Sequence, residues 1–77
     1  MPRAFVLINV ETGMEDSVLK QLRSIGVVEE AFVTYGVYDL IVRVKADTME
    51  QLKDAVTHKI RTANQVRSTL TLIMMEE

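Results

Sequence analysis

The chain has no cysteine, one histidine and three glycines. The first absence excludes disulfides, and one imidazole is too few for a metal cluster. Lack of cysteine also suits a reducing cytoplasm. No charge of one sign dominates: nine Lys and Arg stand against eleven Asp and Glu, a net charge of −2. The lack of a basic stripe to neutralise phosphates argues against direct nucleic-acid binding. Lys59 and Arg61 form a local basic pair that reads as a solvated helix end. No apolar run approaches the ~20 residues of a membrane span. The opening MPRAFVLINV has too short an apolar run, and no small-residue cleavage site, for a signal peptide. Also missing are a glycine-rich phosphate loop, a serine in a nucleophile elbow and any Cys–His pair.

What the chain does have is apolar surface. Hydrophobic residues make up 48% of its 77 residues, enough length for one domain spanning 1–77. A domain of this size buries only about 60% of its unfolded surface. One small core cannot shelter that apolar excess, so copies of the chain are expected to associate as a homo-oligomer.

The clearest local signal is VTYGVYDLIVR, Val33 to Arg43. Two β-branched and aromatic runs meet at Gly36, which suits the first central position of a type II′ hairpin turn. A two-residue tip of Gly36 and Val37 sets Tyr35 opposite Tyr38, Thr34 opposite Asp39, Val33 opposite Leu40, Phe32 opposite Ile41 and Glu30 opposite Arg43. Side chains alternate between faces. One face then carries Ala31, Val33, Leu40 and Val42, and the other Phe32 and Ile41 with the Glu30–Arg43 charge pair.

Around this hairpin, Ala4 to Val10 is apolar on both faces, the mark of a covered central strand. Thr12 and Glu15 match a capping box ahead of Met14, Val18, Leu22 and Ile25 at helical spacing, and Gly26 falls at a C′ position. The hairpin strands are expected over Val27–Tyr35 and Tyr38–Lys45. Asp47 and Glu50 form a second cap-like pair, followed by the stripe Met49, Leu52, Val56 and Ile60, with His58 roughly opposite. Arg61 to Gln65 is a polar connection. From Val66 to Met75 the last strand alternates, with Val66, Ser68, Leu70, Leu72 and Met74 on one face and Arg67, Thr69, Thr71 and Ile73 on the other. The order β-α-β-β-α-β predicts an α+β, ferredoxin-like fold: a four-stranded antiparallel-type sheet with two helices on one face. The first and third strands are expected side by side and parallel. The open face is expected to meet a second copy.

The same pattern suggests where a ligand sits. Gly36 leaves backbone N–H groups open to a carboxylate. Asp39 is placed to pair with an ammonium group, and Thr69 and Thr71 offer two hydroxyls on one face. Together these groups suit a zwitterion. The residues alone leave the plainer alternative open: Gly36 serves the turn, Asp39 is a turn acceptor and threonines favour strands. His58 reads as a surface histidine, and Glu29, Glu30, Glu76 and Glu77 as solvated charges. The hairpin and the last strand are separated by the first strand, so the two groups of residues are expected to meet only across a subunit boundary.

Three segments carry a family likeness: IGVVEEA (Ile25–Ala31), YGVYD (Tyr35–Asp39) and VRSTLT (Val66–Thr71). In this order and spacing they resemble the C-terminal ligand-binding domain of leucine-responsive and asparagine-responsive transcription regulators, the "regulation of amino acid metabolism" domain. The resemblance implies a sheet-to-sheet dimer, rings of dimers up to an octamer, and an amino acid effector bound where dimers meet. Carried onto this chain, Gly36, Val37, Tyr38 and Asp39 match the ligand-contacting loop, and Thr69 and Thr71 the last-strand contacts. No cofactor and no catalytic residue is implied. Gln65 stands where the family has glycine, so Asn64 is expected to take the left-handed turn position. The family's helix-turn-helix has no counterpart before Ala4. A stand-alone cytoplasmic sensor is therefore expected, without DNA binding of its own, joining full-length regulators through shared surfaces. The rivals are a small dimeric α+β barrel enzyme, which needs an enclosed pocket with a polar residue inside, and a scaffold that only oligomerises.

Overall fold

The computed structural model describes residues 1–74, and Met75, Glu76 and Glu77 lie outside the described residues. The elements are β1 (Arg3–Val10), α1 (Glu15–Arg23), β2 (Val28–Val33), β3 (Leu40–Lys45), α2 (Met49–Ala55) continued by a π-helical turn (Val56–Ile60), and β4 (Val66–Met74). The sheet order is β2-β3-β1-β4 and every neighbouring pair is antiparallel. The first and third strands are thus adjacent as expected but antiparallel, not parallel. The helix after β1 returns the chain, so β2 runs with β1, and the hairpin then reverses β3.

Alternation in β1 explains its central place. Ala4, Val6, Ile8 and Val10 are buried, while the residues between them are half-buried. The buried set joins Leu40, Val42 and Val44 of β3 and meets Val18 and Leu22 of α1 and Leu52, Val56 and Ile60 of α2 and its π turn. Both helices therefore cover one face. The π turn closes through a hydrogen bond from the Arg61 N–H to the Val56 carbonyl. This wider turn was not anticipated by the simple helical stripe.

The hairpin register is as read from the sequence: Val33 pairs with Leu40, Phe32 with Ile41, Ala31 with Val42 and Glu30 with Arg43. The Arg43 guanidinium lies 3.2 Å from Glu30 Oε1. Glu29 departs from expectation. It is bulged in β2 and lies 3.3 Å from Arg43 Nε and 4.0 Å from Lys45 Nζ, so it is paired rather than merely solvated.

Four local expectations need correction. Thr12 does not cap α1. Gly13, at φ 82°, completes a turn in which the Met14 N–H donates to the Glu11 carbonyl. Thr12 is left outside, and Met14 becomes the N-cap without a side-chain bond. The second cap is Thr48, not Asp47: its hydroxyl accepts from the Gln51 N–H at 3.1 Å. Gly26 has no left-handed φ. It sits in a turn where the Val28 N–H donates to the Ile25 carbonyl. Val66 pairs with Val10, while Ser68 pairs with Asn9. This irregularity turns Val66 to the helix side, away from Leu70.

Gln65, not Asn64, takes the left-handed conformation, at φ 68°. Its carbonyl accepts from the Glu11 N–H at 2.8 Å. Asn64 is held otherwise: the Gln21 side chain donates to its carbonyl and accepts from its N–H. That bridge ties α1 to the connection entering β4.

Candidate functional site

The hairpin tip is wider than a two-residue turn. The strands end at Val33 and Leu40, and the loop closes at its base where the Thr34 N–H donates to the Asp39 carbonyl at 2.8 Å. The Thr34 hydroxyl also donates to the Tyr38 carbonyl at 2.8 Å. Gly36 has φ 133°, well beyond the value of about 60° for the first residue of a type II′ turn. No atom lies within 4 Å of where its Cβ would be, so the glycine serves conformation and leaves open backbone. Tyr35 is fully exposed and Val37 nearly so.

Asp39 explains the widening. Its N–H donates to the Ile8 carbonyl at 2.9 Å, and its Oδ2 accepts from the Val10 N–H at 2.9 Å. The β1–β3 ladder stops at Ile8 and Leu40. Asp39 continues it with a side chain, and the Tyr38 carbonyl is left to Thr34. One Asp39 oxygen is therefore a structural acceptor at the end of β1.

An open pocket of about 430 Å³ lies beside the tip, lined by Glu15, Asp16, Val33, Thr34, Tyr35, Gly36 and Asp39. Its carboxylates come from the first turn of α1 as well as from the loop. The sequence pattern marks Glu15 only as part of a cap and does not mark Asp16; the first-turn position of these acids is the signal that points to them.

Thr69 and Thr71 lie elsewhere. They pair with Ile8 and Val6, whose side chains are buried toward the helices, so the threonines face the helix side of an edge strand. There they line a groove of about 330 Å³ with Leu52, Val56 and Ile73 as apolar members and Lys53, Thr57 and Arg61 as polar ones. Arg61, expected as part of a solvated helix end, instead borders this groove. Lys53 and Thr57 stand about two turns and one turn before Arg61, a spacing that puts all three on one side of the helix. The fold thus brings Gly36 and Asp39 together, and Thr69 and Thr71 together, but does not join the two groups within one chain.

The residues match a known family. The model of the Lrp/AsnC ligand binding domain matches residues 3–77. The chain belongs to the Lrp/AsnC ligand-binding domain family. It is 33% identical over 60 residues to the regulatory protein AsnC of Escherichia coli K12, covering 78% of this chain and 40% of that protein. The chain thus spans about 40% of the length of such curated relatives. Among solved structures it resembles FFRP-DM1 at 40% identity and a TM-score of 0.93, covering 97% of this chain and 100% of the other. It also resembles the hypothetical protein PHS023 of Pyrococcus horikoshii at 40% identity and a TM-score of 0.92, covering 100% and 93%.

This Lrp/AsnC domain has no buried polar or charged side chain among its described residues. Among the described residues the core between sheet and helices is formed by apolar side chains. His58 is exposed on the polar side of its helix, 3.6 Å from Asp54. Among the described residues no group of acidic or imidazole side chains is placed to hold a metal, and no helix is long and apolar enough to cross a membrane.

Proposed function

We propose that this domain is a cytoplasmic, homo-oligomeric amino-acid sensor of transcription control, with its effector held at the seam between copies. Gly36 and Val37 offer backbone N–H groups to the effector carboxylate, Asp39 its second oxygen to the ammonium, and Tyr38 a wall. Thr69 and Thr71 come from a neighbouring copy. The observation that carries this reading is the match of residues 3–77 to a ligand-binding domain. The separation of the two half-sites on one chain supports their meeting between chains.

A ligand bound at a seam stabilises the assembly logarithmically with its concentration, by about 2.7 kcal/mol at a hundredfold excess over Kd. The domain thereby regulates rather than catalyses, and DNA is reached through full-length regulators that share its surfaces. The test is calorimetry of the twenty amino acids against the wild type and Asp39→Asn. At least one amino acid is expected to bind at millimolar concentration or below, and more weakly to the variant. If none binds, what remains is a scaffold that only oligomerises.

A further inference from the structure

Two parts of the surface carry opposite charge. The pocket at the hairpin tip has three carboxylates, Glu15, Asp16 and Asp39, and no cation in its lining. The groove between β4 and the second helix has two cations, Lys53 and Arg61, and, among the described residues, no carboxylate. Among the described residues, none of Glu15, Asp16, Lys53 and Arg61 has an ion-pair partner within its own chain. The apolar parts are complementary too. Tyr35 and Val37 project from the tip with almost all of their surface in water, while Leu52, Val56 and Ile73 give the groove an apolar lining. An exposed pair of large apolar side chains beside unpaired acids matches an apolar groove bordered by unpaired bases.

We propose that the Tyr35–Val37 tip of one copy seats in the β4 groove of a second copy, with Glu15 and Asp16 set against Lys53 and Arg61. The contact joins unlike surfaces, so it either closes reciprocally within a pair or runs on around a ring. It lies on the helix side and the tip, leaving the open sheet face free for a separate contact. The proposal rests on the composite-site reading in using the same two surfaces, and it names the charges that bring them together without an effector. Being exposed, those charges are screened over about 8 Å at physiological salt, so assembly weakens as salt rises.

Light scattering without added amino acids tests this. Lys53→Glu with Arg61→Glu is expected to reduce the solution mass to a smaller species, and Glu15→Lys with Asp16→Lys to do the same. Mixing the two variants, each now complementary only to the other, restores the wild-type mass. Lys53→Gln with Arg61→Gln, which removes the attraction without reversing it, is expected to lower the mass in the same direction and serves if a reversal fails to fold. Unchanged mass in folded variants overturns the contact, as does a mixture that stays small. Calorimetry is scored separately: assembly that obeys the charges while no amino acid binds defeats the sensor and keeps the contact.

Discussion

The Asp39 carboxylate accepts a hydrogen bond from the Val10 N–H at 2.9 Å, across two strands and 29 residues of sequence. One side chain thus finishes the β1–β3 ladder and frees the tip from it. A bond from a backbone donor to a charged acceptor stabilises by ~1.5–3 kcal/mol, and partial exposure puts this one at the low end. Asp39→Ala is expected to lower stability by ~1–2 kcal/mol in a urea titration, by leaving the Val10 N–H without its acceptor. Asp39→Asn keeps an acceptor oxygen and is expected to cost less than half as much. The pair separates the two tasks of Asp39: the amide preserves the fold while removing the charge offered to an ammonium group.

Gln65 sits at φ 68°, a conformation that costs an ordinary residue roughly 1–2 kcal/mol. Glycine removes that cost but loses ~0.5–1 kcal/mol through greater freedom of the unfolded chain. Gln65→Gly is therefore expected to stabilise by ~0.5–1 kcal/mol, raising Tm by several degrees in a domain this small. Asn64→Gly is expected to give no gain, because Asn64 has no left-handed φ to relieve. Equal effects at the two positions, read by thermal melting, would contradict the assignment of the turn to Gln65.

Much of the fold was legible because burial imposes a period. Ala31, Leu40 and Val42 alternate with Phe32, Ile41 and Arg43, and only one register keeps both the apolar set and the Glu30–Arg43 pair intact. Gly36 was rightly read as a bend, but its width was not legible. That width depends on Asp39 reaching β1, a contact 29 residues away. Val66 was misplaced because an irregularity in pairing carries no mark in an alternating sequence. At the candidate site, Asp39 just before an apolar strand and the two threonines within one were visible as polar groups. Glu15 was legible only as a cap residue and Arg61 only as a helix-end charge, and Asp16 and Lys53 not at all, because charges on a helix surface look alike until a neighbouring strand or loop makes a pocket of them.

The two helix starts give a contrast within one molecule. Thr48 accepts from the Gln51 N–H, whereas Thr12 is separated from α1 by the Gly13 turn and makes no cap. Loss of a threonine N-cap costs ~1 kcal/mol. Thr48→Ala is expected to destabilise by that amount in chemical denaturation. Thr12→Ala is expected to change stability by less than ~0.5 kcal/mol, as for a surface position without a special role. A cost at Thr12 equal to that at Thr48 would mean that the T-x-x-E pattern caps after all.

Phe32, Ile41, Leu7 and Leu70 are successive register partners and form one apolar row across all four strands of the open sheet face. Its two ends, Phe32 and Leu70, are 51% and 44% exposed in a single chain. Apolar surface withdrawn from water stabilises an association by about 25 cal/mol per Å², so burying this row would favour a sheet-to-sheet contact between copies. Leu70→Glu places a charge at one end of the row. Within one chain the change is tolerable, because Leu70 already reaches solvent. In a seam it buries an unpaired carboxylate, which is strongly unfavourable. The expected result is a folded protein, by circular dichroism, whose solution mass drops at a concentration where the wild type associates. Because Leu70 and the Lys53–Arg61 groove lie on opposite sides of β4, the two sets of variants break different seams. A Leu70→Glu chain that stays folded and keeps its full mass would leave the open face to water and the apolar excess without a physical account.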